Sequence, residues 1–434
     1  MKTINIGIIG FGTVATGLIE GIQNNADLIA ARFQIKFEIA KVAARSLKVQ
    51  RAVELDPSIL TEDAMEVVNN ESVDVVLELM GGTTLAKDFV VQALKNGKAV
   101  VTANKALIAE FGEELFSLAK ENKTRIFFEA SVAGGVPIIK GLREGLSGNN
   151  ILSIQGILNG TCNFILSEME EKGTDFEVVV KLAQDMGYAE ADPSLDVGGG
   201  DAAHKTAILA SLAYGKWFHS DSVHTKGIDN IELIDIAYGR DAGYRLKLIG
   251  DISKNDEEKI FLSVQPTLVP LNSTLGNTND VFNGIRVVGD IVGETMFYGQ
   301  GAGKDATASA VYADLIDASQ AIIANTIDSY PGFVAYEGCK GLADINEREN
   351  RYYIRMSVDN GANSFAKVAH ILGENQISLS SVNSKDPNPA NPSNPVVLLT
   401  HKVSLKNLKS ALAEIAALPI VDYTPVVYPI EDFA

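Results

Sequence analysis

Asp201 and Lys205 stand one helical turn apart in Asp201-Ala202-Ala203-His204-Lys205-Thr206-Ala207-Ile208-Leu209-Ala210-Ser211-Leu212, a run with no proline or glycine. On a helix this spacing stacks a carboxylate and an ammonium on one face. Ile208, Leu209 and Leu212 fall on the same face as Lys205, so the charged pair shares an apolar stripe that faces a core. Charges there are costly to desolvate unless they pair or serve a site. The pair is therefore either a structural ion pair or part of a functional site. A second lysine closes Val100-Val101-Thr102-Ala103-Asn104-Lys105, just past a strand-like run. Lys105 is then a solvated loop residue or an ammonium at the carboxyl end of a strand, where open α/β sheets bind ligands. His204 beside the stripe reads as a packing or surface residue, and Cys162 as a small buried one.

The N-terminus points to the co-reactant. Ile4-Asn5-Ile6-Gly7-Ile8-Ile9 is a short apolar strand that runs into Gly10-Phe11-Gly12-Thr13-Val14-Ala15, followed by a helix-like stretch from Val14 to Ile22. This is a dinucleotide-binding fingerprint in its required setting: glycines for a tight turn and for close approach to a pyrophosphate, and a helix N-terminus facing the anion. At the tip of the next strand stands Val42-Ala43-Ala44-Arg45-Ser46. An acid there would hold a free ribose 2′-hydroxyl. Arg45 and Ser46 instead suit a 2′-phosphate, so NADP is favoured over NAD, against the alternative of a solvated surface arginine. Gly81-Gly82-Thr83, after Val75 to Met80, offers bare backbone to the same cofactor. Glu129 and the following Ser131-Val132-Ala133-Gly134-Gly135-Val136-Pro137 offer a carboxylate and several carbonyls, a donor set for a hard cation.

The elements that must position these residues follow a recognisable order. Strands are expected at Phe37 to Ala43, Val73 to Leu79, Lys98 to Thr102 and Arg125 to Ala130, separated by helices or loops, as in a doubly wound parallel sheet. Longer mixed segments follow, including a helix from Phe176 to Met186 with Gly187 as its cap, then the loop Tyr188-Ala189-Glu190-Ala191-Asp192-Pro193 and Asp196. The last ninety or so residues read as strand Tyr353 to Val358, helix Ser364 to Gly373, strands Ile377 to Val382 and Val396 to Val403, helix Leu405 to Ala417, and a strand near Pro425. A hairpin loop is expected from Asp386 to Pro395. The fold class is α/β: a Rossmann sheet over 1–134, an α+β domain over 135–340, and a separate βαββαβ unit over 350–434 after a linker near 340–350.

Composition excludes other classes. The 434 residues carry a net charge of −18, which argues against nucleic acid as a partner. Two widely spaced cysteines, Cys162 and Cys339, suit a reducing compartment. No apolar run reaches membrane-spanning length and no signal segment opens the chain, so a soluble cytoplasmic protein without membrane partners is expected.

Gly10-Phe11-Gly12-Thr13-Val14, Thr102-Ala103-Asn104-Lys105, Asn159-Gly160-Thr161, Gly187-Tyr188-Ala189-Glu190-Ala191-Asp192-Pro193 and Asp201-Ala202-Ala203-His204-Lys205 occur in that order and together resemble homoserine dehydrogenase. Gly301-Ala302-Gly303, with Thr307-Ala308-Ser309-Ala310-Val311, resembles the segment that returns to the cofactor domain; Ala306 stands where the family commonly has proline. The resemblance covers roughly residues 1–335. It implies reversible reduction of aspartate 4-semialdehyde to homoserine, in threonine and methionine biosynthesis, with Lys205 as proton donor and Lys105 at the nicotinamide. It also implies substrate contacts from Glu190, with Asp196 and Asp201 beside it, and cofactor contacts that include Gly81 and Gly303. A sodium site at Glu129, Val132, Gly134 and Val136 is implied, as is a dimer or tetramer. The C-terminal unit resembles the ACT domain. Its first turn, Asn360-Gly361-Ala362-Asn363-Ser364-Phe365, places Asn363 where a glycine is expected, so a weak response to threonine is anticipated. Two rival readings stay open: a semialdehyde dehydrogenase that forms an acyl-enzyme on a reactive cysteine, and a non-catalytic NADP-binding amino-acid sensor.

Overall fold

The structure is a computed structural model that describes residues 1–329, 332–359, 363–384 and 395–433. Six parallel strands form the first sheet: β1 (Lys2–Ile9), β2 (Ile35–Ala43), β3 (Leu60–Thr61), β4 (Val75–Glu78), β5 (Ala99–Thr102) and β6 (Ile126–Phe127). Their order is β3-β2-β1-β4-β5-β6, so the chain reverses direction between β1 and β4 and leaves a crevice at the strand carboxyl ends. β1, β4 and β5 are nearly continuous apolar runs because helices cover both faces of the sheet. The short β3 had no signature in the sequence. The strand expected from Arg125 to Ala130 is cut to two residues because Glu129–Ser131 turns into a 3₁₀ helix.

The helix Lys304–Ile323 closes this sheet from a distance in sequence. Its Ala308, Val311, Tyr312, Leu315 and Ala318 share one core with Ile6, Ile8, Leu18 and Leu77. The small residues Gly17 and Ala308 let it lie close against the fingerprint helix Thr13–Asn24, and Lys304 pairs with Glu20.

Eleven strands among the described residues form the second sheet. β7 (Ile151–Ile157), β8 (His224–Thr225), β9 (Tyr244–Lys254), β10 (Ile260–Pro270), β11 (Phe282–Gly289) and β12 (Gly293–Gln300) belong to the middle of the chain. β13 (Glu349–Ser357), β14 (Leu379–Ser384), β15 (Pro395–Thr400), β16 (Val403–Ser404) and β17 (Val426–Ile430) come from its end. The path runs β12-β11-β7-β9-β10-β17-β13-β15-β14. Within the C-terminal part β17, β13, β15 and β14 are all antiparallel, with the helices Ser364–Glu374 and Leu405–Ala416 packed over Ile354, Met356 and Leu398.

The C-terminal unit, expected from the sequence as a separate one, has a core of its own and also joins the second sheet. Ile430 pairs with Leu268, so one sheet runs through both parts. The linker expected near 340–350 is pinned as well: Leu342 bridges Ile260, and β13 begins at Glu349. Buried ions complete the junction. Arg355 grips Asp235 at 2.6 and 3.0 Å, Tyr353 donates to the same carboxylate at 2.9 Å, and Arg348 pairs with Asp251. The expected hairpin loop lies outside the described residues except for Pro395, as do Asn360, Gly361 and Ala362 of the turn. Asn363 caps its helix at φ −110°, not in the left-handed region.

Candidate active site

A cavity of about 630 Å³ opens between the two sheets. Lys105 and Ala103 line it from the β5 end, Ala133 and Gly134 from the loop after β6, and Glu190, Asp196, Asp201 and Lys205 from the substrate side, with Gly303 closing it. Four segments far apart in sequence thus meet at one place.

The helix Gly200–Tyr214 carries the centre of the site. Gly199 starts it at φ +85°, a left-handed conformation that a side chain would strain. The sequence suggested one apolar stripe, but the helix is buried on nearly every side, from Asp201 through Tyr214. Its charges are therefore inside the protein and must be compensated there. The Asp201 carboxylate divides its oxygens between two lysines: Oδ1 lies 2.9 Å from Lys105 Nζ and Oδ2 lies 2.8 Å from Lys205 Nζ. Burial would raise the Asp201 carboxyl, but the two ammonium groups hold it well below the usual carboxylate range. For Lys105 burial pulls the other way, yet Asp201, then Asp196 and Glu190, leave its ammonium raised.

Lys205 is fixed by two acceptors, Asp201 and the Leu158 carbonyl at 2.7 Å. A lysine has three N–H donors, so one remains for the cavity. Asn159 lies behind the acids and donates to Asp196 at 2.7 Å and Asp201 at 2.8 Å, while its own oxygen caps the next helix at Cys162. In the sequence Asn159 stands in the Asn159-Gly160-Thr161 motif with no chemistry evident for it; its cap position before Gly160 is the available signal. Burial raises the Asp196 carboxyl, and Asn159 draws it back down. Glu190 is exposed at the cavity mouth, and its carboxylate has no partner among the described residues. His204 is half-buried beside the site, and burial lowers its imidazole. Cys162 is fully buried, and burial pushes its thiol well up, so it supplies no thiolate.

The fingerprint turn lies at the end of β1. Gly10 has φ +97°, and a Cβ there would meet the Leu79 carbonyl at 2.6 Å. A Cβ on Gly12 would meet nothing within 4 Å, which leaves open space above the turn. The helix that begins at Thr13 has no side-chain cap, so the amides of its first turn, from Thr13 and Val14, are available to an anion. Phe11 is buried under the turn. Ala44 is buried at the tip of β2, Ser46 is half-buried, and Arg45 is exposed without an ionic partner among the described residues. Gly81 and Gly82, both at φ +74°, face open space across from them. Turn, bare loops and uncapped helix suit a nicotinamide dinucleotide.

Glu78, which the sequence reading passed over, explains how these loops are held. Its buried carboxylate accepts from Met80 and Gly81 amides at 3.0 and 3.3 Å and from the Thr102 hydroxyl at 2.7 Å. Burial raises its pKa, with Thr102 opposing. Asn104 then ties Gly82 to the start of the Lys105 helix. An acid amid Val75-Val76-Leu77 was the signal for it.

The Glu129 carboxylate is anchored by the helix that follows it. Its oxygens accept from the amides of Ile139 and Lys140 at 2.9 and 2.8 Å, and the Val136 carbonyl accepts from Ile138. The helix amides reach the acid first. Among the described residues no group of three or more His, Cys, Asp or Glu could hold a metal.

A parallel sheet with a glycine turn, joined to a cavity where one acid orients two lysines, defines a nicotinamide-dependent oxidoreductase. Comparison with known proteins agrees. Residues 10–129 match the family model of the homoserine dehydrogenase NAD-binding domain, and residues 137–316 match that of homoserine dehydrogenase. The chain is 42% identical to the homoserine dehydrogenase of Neisseria gonorrhoeae, covering 97% of each, and 43% identical to that of Pseudomonas aeruginosa, covering 96% of each. The crystal structure of a homoserine dehydrogenase from Thiobacillus denitrificans superposes with a TM-score of 0.94 at 39% identity, over 100% of this chain and 99% of that one. A hyperthermophilic archaeal homoserine dehydrogenase solved with NADPH aligns at a TM-score of 0.61 and 28% identity, over 73% of this chain and 98% of that one. The chain belongs to the homoserine dehydrogenase family.

Proposed function

We propose that this cavity reduces L-aspartate 4-semialdehyde to L-homoserine, reversibly, with NADPH preferred over NADH. The observation that carries the reading is Lys205: a buried ammonium held from behind by Asp201 and Leu158, with one N–H left for a ligand. The dihydronicotinamide, when bound against the glycine turn and Gly81, supplies the hydride. As the aldehyde oxygen gains charge, Lys205 gives it the free proton and is left as an amine, which solvent reprotonates. In the reverse direction that amine takes the hydroxyl proton of homoserine. Asp201 aims both lysines, and Lys105 adds a second positive charge near the developing alkoxide. Glu190, unpaired at the mouth, binds the substrate's α-ammonium, and Asp196 borders the same pocket. Arg45 and Ser46 receive the 2′-phosphate, and Gly303 closes over the cofactor.

A sodium ion at the loop after β6 would be held by Glu129 with the main-chain carbonyls of Val132, Gly134 and Val136, and no catalytic step needs it. The C-terminal antiparallel unit serves as an ACT-like regulatory module. Val178, Leu182 and Met186, exposed in one row beside the site, support assembly into a homo-oligomer. No helix among the described residues is long and apolar enough to cross a membrane, and two free cysteines suit the cytoplasm. The direct test is loss of NADPH absorbance with aspartate 4-semialdehyde and formation of homoserine. Absence of turnover in the folded protein would overturn the reading.

A further inference from the structure

Arg51, in the loop after β2, is held by main-chain carbonyls. Its Nε donates to the Phe11 carbonyl at 2.9 Å, and its two terminal nitrogens donate to Val49 at 2.8 Å and Ser46 at 2.9 Å. Its guanidinium also lies over the Phe11 ring, 4.6 Å from the centroid. All three acceptors are neutral carbonyls, and no carboxylate pairs with Arg51 among the described residues. Arg45, the residue before the Ser46 acceptor, has no ionic partner among the described residues either, and Glu62 reaches this loop through the Leu47 amide at 3.2 Å. Two unpaired arginines thus flank the tip of β2, and Arg51 joins that tip, through Ser46, to the fingerprint turn, through Phe11.

A guanidinium has five N–H donors. Three are spent on carbonyls, which leaves one on each terminal nitrogen of a fork already fixed in place. A fixed fork with two free donors suits the oxygens of a phosphate. We infer that Arg51 is a second cation for the 2′-phosphate of the adenine dinucleotide and, with Arg45, selects the phosphorylated cofactor. The inference rests on the NADP reading above and adds a residue that sequence alone did not single out.

The competing role is purely structural, a clamp that shapes the Phe11 turn for any dinucleotide. Binding of adenosine 2′,5′-bisphosphate and of 5′-AMP, measured by calorimetry on the full chain, separates the two. Wild type is expected to favour the bisphosphate. Arg51→Ala should weaken bisphosphate binding by roughly 10- to 100-fold, the size of a lost charge-assisted contact, and change 5′-AMP binding little. Arg51→Lys should restore part of the preference, because a point charge still attracts phosphate even though the fork is lost. Equal weakening of both ligands by Arg51→Ala, or no change in either, would overturn the inference. If Arg45→Ala abolishes the preference while Arg51→Ala leaves it, the inference fails and the NADP reading stands. If wild type shows no preference, both fall together.

Discussion

Asp201 and Asp235 are both buried acids gripped by cations, and their partners differ in kind. Asp235 meets Arg355 through a two-pronged contact and also accepts from Tyr353 and Tyr428. The remaining reach of Arg355 goes to Tyr423 and Glu232. That cluster is closed, with the Asp235 side chain 0% exposed, and it welds the C-terminal unit to the middle of the chain. Asp201 instead meets two lysines, one of which is 36% exposed to the cavity. Arginine spends a rigid fork on holding; lysine keeps a movable proton for a ligand. A buried ion pair thus signals chemistry when its donors are not exhausted and a cavity faces them, and it signals architecture when they are.

Lys205→Ala gives the largest expected effect on this contrast. It should lower kcat by roughly 10²–10⁴-fold while NADPH binding, followed by fluorescence, stays near wild type. A kcat near wild type would make the cavity cluster as structural as the other. Arg355→Ala should act in the opposite way. An uncompensated Asp235 should cost about 3–5 kcal/mol of stability in denaturant melts, while kcat in the folded fraction changes little. A stable variant with depressed kcat would erase the distinction.

Titration sharpens it. Asp201 has a depressed folded pKa, so its stabilisation is present above the ordinary 3.8 and is lost only as pH falls through a still lower value. Lys105, with a raised pKa, contributes fully below 10.5 and loses that contribution only above it. The Asp201–Lys105 contact is therefore constant through neutral pH. Lys247 is the counterexample. Buried on Asn163, Asn279 and the Thr278 carbonyl with no carboxylate in contact, it is lowered by burial to about 7. Between pH 7 and 10.5 the unfolded chain holds more protons at this site, so stability should rise with pH by up to about 1.4 kcal/mol per unit. The melting difference between wild type and Lys247→Met should shift in favour of wild type over that range. A constant difference would show that Lys247 stays charged. The smallest effect is expected from Glu190→Gln, which should raise KM for the semialdehyde by roughly tenfold with kcat largely kept. An unchanged KM would remove Glu190 from the substrate contact.

Much of the site was legible before folding. The glycine turn follows from local strand, turn and helix signals, and the Asp201–Lys205 pair from helical spacing, because both depend on neighbours in sequence. Lys105 and Glu190 needed the resemblance, since a lone charge in a loop carries no pattern. Asn159, Glu78 and Arg51 were missed as actors because their partners lie 42, 24 and 40 residues away. The join between the C-terminal unit and the middle of the chain was hidden for the same reason. Its strand and helix order was readable, but the pairing of Ile430 with Leu268 is decided where two distant edges meet. The Glu129 side chain likewise looked free in sequence until the amides of Ile139 and Lys140 folded onto it. By itself the sequence determined the elements, the cofactor turn and one charged helix face, all set by periodicity over a few residues. Only the tertiary structure decided which donors were spent and which stayed open, because hydrogen-bond satisfaction depends on what the whole fold brings within about 3 Å.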